Sequence, residues 1–444
     1  MIQRARLTPS LQDRVRRKIA FRILPFVFVL YMIAYLDRAN VAFGKAAMSA
    51  DLGFSDAVFG FGAGIFFLGY FLLEIPGALI VERWSARRWI ARILLTWGTC
   101  TILVGFVRTD NQFYLARFLL GAAEAGFFPG IIVYLTHWFV RLDRARATAG
   151  FMIAAPLSLM LGAPFSAAIL RLDWWGWPGW RWMFLLEGLP AIVFGFLTLW
   201  WLTDHPRDAR WLDSEEREWI DTQLEAERAS KRIAGQITMA EGLKQPRVWV
   251  LALAHFLLNL SGYGFILWLP TIVQRTSGLP VSLSNLCSAI PFGLAVSTAL
   301  AVSRSSDRTG ERKIHACIPM LWAACALILS TIPGQPFPLV MVWLSLIGAG
   351  CFSWNPPFWQ IPTLTLGESA AAASIGLINS VGNLGGFVGP TVMGFVLSKG
   401  RGYPTVAFIL AFSYLTSAAL IASLRFPASL VKQANDGLNP KPLN

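Results

Sequence analysis

One recurrence limits what this chain can become. Runs of about 20 mainly apolar residues, the length a helix needs to cross the hydrocarbon core of a bilayer, return twelve times along its 444 residues. They fall at 22–44, 57–81, 89–107, 113–139, 147–170, 183–203, 248–272, 284–303, 314–332, 337–363, 370–398 and 404–425. A water-soluble core cannot absorb them. Hydrophobic residues make up 55% of the chain and charged residues 14%, against roughly 25% charged in a typical soluble domain. The expectation is an all-α membrane protein with twelve transmembrane helices.

One long polar stretch, 204–247, divides the runs into two sets of six. It predicts a first bundle over 1–203, a linker over 204–247 and a second bundle over 248–444. Within the linker, Asp213-Ser214-Glu215-Glu216-Arg217 precedes Trp219, Ile220 and Leu224. This reads as a short helix capped by Ser214 and lying on the membrane face. An internal echo supports the division. Glu82-Arg83-Trp84-Ser85-Ala86-Arg87-Arg88 follows the second run, and Asp307-Arg308-Thr309-Gly310-Glu311-Arg312-Lys313 follows the eighth, 225 residues later. Two duplicated halves of six helices are a transporter layout.

The formal charge of +13 does not indicate a nucleic-acid partner. Of 38 Lys and Arg, 29 fall in the loops of one side or in the end turns of the runs that border them, two lie deeper inside runs and seven fall on the other side. That bias is the positive-inside pattern. With Arg4, Arg6, Arg14, Arg16, Arg17 and Lys18 near the start, it predicts both termini in the cytoplasm. Met1 to Arg22 has no small-residue cleavage site beyond its first apolar run, so that run reads as a retained helix. Trp174, Trp175, Trp177, Trp180 and Trp182 cluster on the opposite side and read as an interfacial aromatic belt. Cys100, Cys287, Cys317, Cys325 and Cys351 show neither disulfide nor metal spacing, and the four histidines form no HExxH. With no Walker, GxSxG or Rossmann signature either, the chain reads as neither an enzyme nor an ATP-driven pump. No metal or cofactor is expected; the energy source is an ion or substrate gradient, the bilayer is a partner, and the protein is expected to act as a monomer.

Charges inside the runs carry the functional signal. Asp37, Arg38, Glu74, Arg117 and Glu124 each cost roughly 2.5–3.5 kcal/mol at mid-bilayer on insertion scales. Asp37 and Arg38 are neighbours and point about 100° apart on a helix, so they do not pair face to face. Arg117 and Glu124 share a face but stand about 10 Å apart along the axis. Three acids against two arginines leave a carboxyl without its own cation. Such a group is a candidate proton carrier, and an arginine beside it is a candidate clamp for a substrate carboxylate. The alternative is an ion-pair network that staples helices. In the second half, Asn259 and Tyr263, and Asn379 and Asn383, stand four apart on one helix face. Asn355-Pro356-Pro357 interrupts the tenth run beside Trp354, Phe358 and Trp359. A broken helix is tolerated where it lines a cavity or is buried; polar glue between helices is the competing explanation.

Several stretches resemble the anion:cation symporter family of major facilitators. They include Tyr35-Leu36-Asp37-Arg38-Ala39-Asn40, Gly69-Tyr70 through Glu74-Ile75-Pro76, Arg117 to Pro129 and Arg144-Ala145-Arg146-Ala147. Gly179-Trp180-Arg181-Trp182-Met183-Phe184 with Glu187-Gly188-Leu189-Pro190, Pro357-Phe358-Trp359, and Gly376 to Gly386 around Asn379 and Asn383 complete the match. The last two look like the tartrate- and phthalate-type branch, although Gly77-Ala78 stands where that branch tends to have Ser-Asn. The resemblance implies cation- or proton-coupled uptake of organic anions by alternating access. It implies protonation at Asp37 and Glu124, coupling through Arg38 and Arg117, and substrate contact at Tyr70 and an asparagine of the eleventh helix. Tyr35, Glu74, Tyr263 and Trp359 complete the candidate substrate-binding set.

Overall fold

The computed structural model describes residues 10–233, 244–366 and 368–426. Twelve membrane crossings follow one another in these segments. Spans 1 to 3 are Leu11–Leu52, Asp56–Arg83 and Ala86–Val104. Span 4 is Asp110–Glu124 continued by Phe127–Thr136, span 5 is Arg141–Met152 with Ala154–Ile169, and span 6 is Gly179–Trp201. Span 7 is Pro246–Ser277, span 8 is Val281–Cys287 with Ala289–Thr309, and span 9 is Lys313–Leu329. Span 10 is broken into Phe337–Ser353, Asn355–Phe358 and Ile361–Leu366; spans 11 and 12 are Glu368–Ser398 and Tyr403–Ser423. Ten crossings qualify on length and hydropathy alone. The other two are span 3, which opens on Arg87, Arg88 and Arg92, and span 9, which is 17 residues long. This is the twelve-helix, two-repeat fold that the apolar runs predict.

The breaks have local causes. Span 4 interrupts at Gly126, whose φ of 83° lies in the left-handed region that a residue without Cβ enters freely. In span 10, Pro356 and Pro357 remove two backbone donors after Ser353 and split the helix. Span 1 runs far beyond the predicted 22–44, from the Ser10 cap to Gly53. The linker helix is Ser214–Ile233. Ser214 is its first helical residue and not its cap, because the Glu216 carboxylate accepts from Asp213 N–H at 3.0 Å, the return half of a capping box. Burial alone would raise the Glu216 carboxyl, but the Lys18 ammonium 2.7 Å away holds it below the usual range and ties this helix to span 1.

The tryptophan cluster divides. Trp174, Trp175 and Trp177 are exposed on a two-stranded hairpin (β1 Asp173–Trp174, β2 Trp177–Pro178) and surround Trp182, as a belt requires. Trp180 does not belong to it. It is fully buried and donates to Asp51 at 3.0 Å. The five cysteines are free; Cys351 is buried, Cys325 is exposed and the other three are partly exposed. The side chains of Glu82 and Arg83 lie outside the described residues, as do Arg4 and Arg6.

The two sets of six meet along three seams: span 2 on span 11, span 5 on span 8, and span 1 on span 7. At the end away from the basic loops they are held together. Asp56 takes Lys45 of its own half at 2.8 Å and Arg275 of the other half at 2.8 Å. Asn285 donates to Phe43 O at 3.0 Å, and the Lys45 ammonium stands 4.4 Å from the Trp268 ring centre. Toward the basic loops, a small recess of about 40 Å³ lies between Tyr31 and Tyr35 of span 1, Pro156 of span 5, Ser303 of span 8 and Asn355 of span 10.

Candidate functional site

Arg38 stands at the centre of the interface, where span 1 meets spans 2, 4 and 7. Its Nε donates to Glu124 Oε1 at 2.7 Å and its Nη2 stands 2.6 Å from the same oxygen. Nη1 reaches Tyr263 OH of the other half at 3.3 Å. Tyr70 and Tyr35 flank the guanidinium at 5.1 and 5.2 Å from their ring centres. The Arg38 side chain is 10% exposed, against 0% for Glu124, so this corner faces the interface from a dry base. The other Glu124 oxygen, Oε2, has no hydrogen-bond partner. An anion reaching Arg38 would therefore compete with an internal carboxylate already seated on it.

Glu74, one turn from Tyr70 on span 2, forms a second crossing between the halves. Its carboxylate accepts from Asn379 Nδ2, from Ser380 Oγ at 3.0 Å and from Asn383 Nδ2 at 3.1 Å, all on span 11. Three converging donors suit an ionised carboxylate, which only accepts. The sequence places Glu74 and the two asparagines in separate halves with no sign of pairing. The fold makes them one cluster.

The remaining candidates stand apart. Asp37 turns away from the interface into the seam with span 3, where it accepts from Trp97 Nε1 and, at 3.2 Å, from Asn40 Nδ2. Arg117 is wholly buried beside Phe66, its ring centre 5.0 Å away, with Nε and Nη1 unpartnered and no ion pair to Glu124. Asn259 meets His255 at 3.4 Å. Trp359 packs 5.0 Å from His255 and does not join the Arg38 group.

Sequence reasoning missed three buried ionisable groups. Glu187 lies inside a predicted span and is wholly buried. Lys45 lies one residue beyond the predicted first span. His255, inside the seventh, is buried with Nδ1 3.1 Å from Ile378 O. Counting every Glu and His within the predicted spans would have found two of these; Lys45 required the true length of span 1.

Buried charges and amides at the seam of two six-helix repeats define a membrane transporter. The chain belongs to the Major Facilitator Superfamily, whose model matches residues 27–390. It is 45% identical to a protein of Agrobacterium vitis named "Putative tartrate transporter", over 93% of this chain and 92% of that one. It is 38% identical to the "Quinolone resistance transporter" of Acinetobacter baumannii, over 86% of this chain and 88% of that one. Among solved structures, the xylose transporter XylE of E. coli in an inward open conformation superposes with a TM-score of 0.72 at 15% identity, covering 94% of this chain and 99% of that one.

Proposed function

We propose that this protein imports a small organic anion with a proton across the bacterial inner membrane, both termini lying in the cytoplasm. The substrate class is a hydroxy-dicarboxylate such as tartrate, a sugar acid, or an aromatic carboxylate such as phthalate. The names of the Agrobacterium relatives favour the first. The bundles 1–203 and 248–444, joined by 204–247, rock about the Arg38 layer as a monomer.

The observation that carries this reading is the Arg38–Glu124 pair. A guanidinium offers its fork to one carboxylate at a time. While Glu124 is ionised it holds Arg38. Once Glu124 is protonated, Arg38 is free to clamp a substrate carboxylate, so proton and anion bind together. Tyr35, Tyr70 and Tyr263 supply hydroxyls and ring faces around that clamp; Asn379 and Asn383 supply amide donors once Glu74 releases them. Arg117, seven residues from Glu124 on span 4, adds positive potential, and Asp37 is a second proton site. Contact at the Asp56 end with a recess on the other side supports a state open toward the cytoplasm.

Purified protein in vesicles loaded with a pH dye tests the reading. External tartrate, phthalate or a sugar acid should acidify the interior as it enters. Anion entry without acidification, or entry only into anion-loaded vesicles, would replace symport by uniport or exchange. The quinolone resistance relative supports export as a second reading; ethidium or quinolone efflux with no carboxylate uptake would decide for it.

A further inference from the structure

Behind the interface lies a cluster of which this transport cycle uses only Asp37. Glu187 of span 6 is wholly buried, and one of its oxygens accepts from Ser166 Oγ of span 5 at 2.6 Å. The other, Oε2, has no partner. Beside it stand the Asn40 amide and, beyond that, the Asp37 carboxylate. Asn40 gives Nδ2 to Asp37 Oδ1 at 3.2 Å, while its own Oδ1 is buried and unpartnered.

Two carboxyls thus flank one neutral amide, which donates to Asp37, in an apolar seam. No cation pairs with either: Arg38 belongs to Glu124, and Arg117 forms no ion pair. The groups facing them from spans 3 and 5 are the neutral Trp97, Thr101 and Ser166; Glu124 and Arg117 of span 4 are the other charges that act on Asp37. Two adjacent negative charges under these conditions cannot both persist. A single proton resolves the cluster. On Glu187 Oε2 it can point at Asn40 Oδ1, leaving the amide N–H for an ionised Asp37. With the proton on Asp37 instead, the amide can turn its N–H toward an ionised Glu187.

We propose that Asp37 and Glu187 form a coupled pair holding one proton between them, with Asn40 as the shared partner. Glu187 is thereby part of the proton-handling apparatus and not a structural filler. The proposal deepens the symport reading by extending its Asp37 site. It stands or falls on a measurement that needs no transport.

Infrared difference spectra of the purified full-length protein read protonated carboxyls directly. Wild-type protein near neutral pH should show a carboxylic-acid band that disappears in Glu187→Gln, a substitution that keeps the shape of the protonated acid. In Asp37→Asn the Glu187 band should persist but be lost at a pH lower by about one unit or more, the mark of coupled sites. Uptake by Glu187→Gln should show an altered pH profile. A Glu187→Gln spectrum identical to wild type, or a Glu187 band whose pH response ignores Asp37→Asn, would overturn the pair. If both bands behave as stated but uptake proves independent of protons, the pair stands and the symport reading fails.

Discussion

Glu74→Gln should loosen the two halves along the span 2–span 11 seam. In the native cluster three donors converge on one carboxylate. Hydrogen bonds to a charged acceptor contribute about 1.5–3 kcal/mol each, and neutral ones about 0.5–1.5 kcal/mol. Glutamine offers one oxygen and turns an NH₂ toward the donors, so at best two of the three bonds survive, as neutral ones. The loss is then about 3–6 kcal/mol before compensation. Asn379 is only half-buried, so water recovers part of it. A net change of about 3 kcal/mol remains, roughly 150-fold in the ratio of joined to parted arrangements. Spin labels at Trp84→Cys and Thr363→Cys, both exposed near the basic loops of opposite halves, would report it in a background freed of the five native cysteines. Double electron–electron resonance should show a longer and broader distance distribution in the variant. An unchanged distribution in well-folded protein would refute the reasoning and reduce the cluster to passive packing.

Two further outcomes follow from the same geometry. Arg38→Ala should lower thermal stability by about 3–5 kcal/mol, because it strands Glu124 as an unpaired buried charge; adding Glu124→Gln should recover most of that in a thermal-shift assay, though neither variant should concentrate substrate. Gly385→Ala should cut the yield of folded protein or its melting temperature, since a Cβ there runs into the Phe256 carbonyl where span 11 packs on span 7; the exposed Gly376, with nothing near its Cβ position, should accept alanine with little change.

The sequence alone determined the architecture, because a bilayer admits few solutions. Apolar length sets where helices cross, an internal echo sets the repeat, and the cost of charge in hydrocarbon marks the residues that need a reason to be there. It also showed that Asp37 and Arg38 cannot pair, because helix geometry fixes the angle between neighbours. Contacts between distant helices lay beyond that reach. That Arg38 seats on Glu124 while Arg117 does not, that Glu74 of one half holds Asn379 and Asn383 of the other, and that Asp37 turns toward Trp97 and Asn40 depend on how helices rotate and which seams close. Periodicity fixes the face of a helix but not its neighbour. The partner of each buried charge is chosen by packing among segments as many as 309 residues apart, and only the tertiary structure decides it.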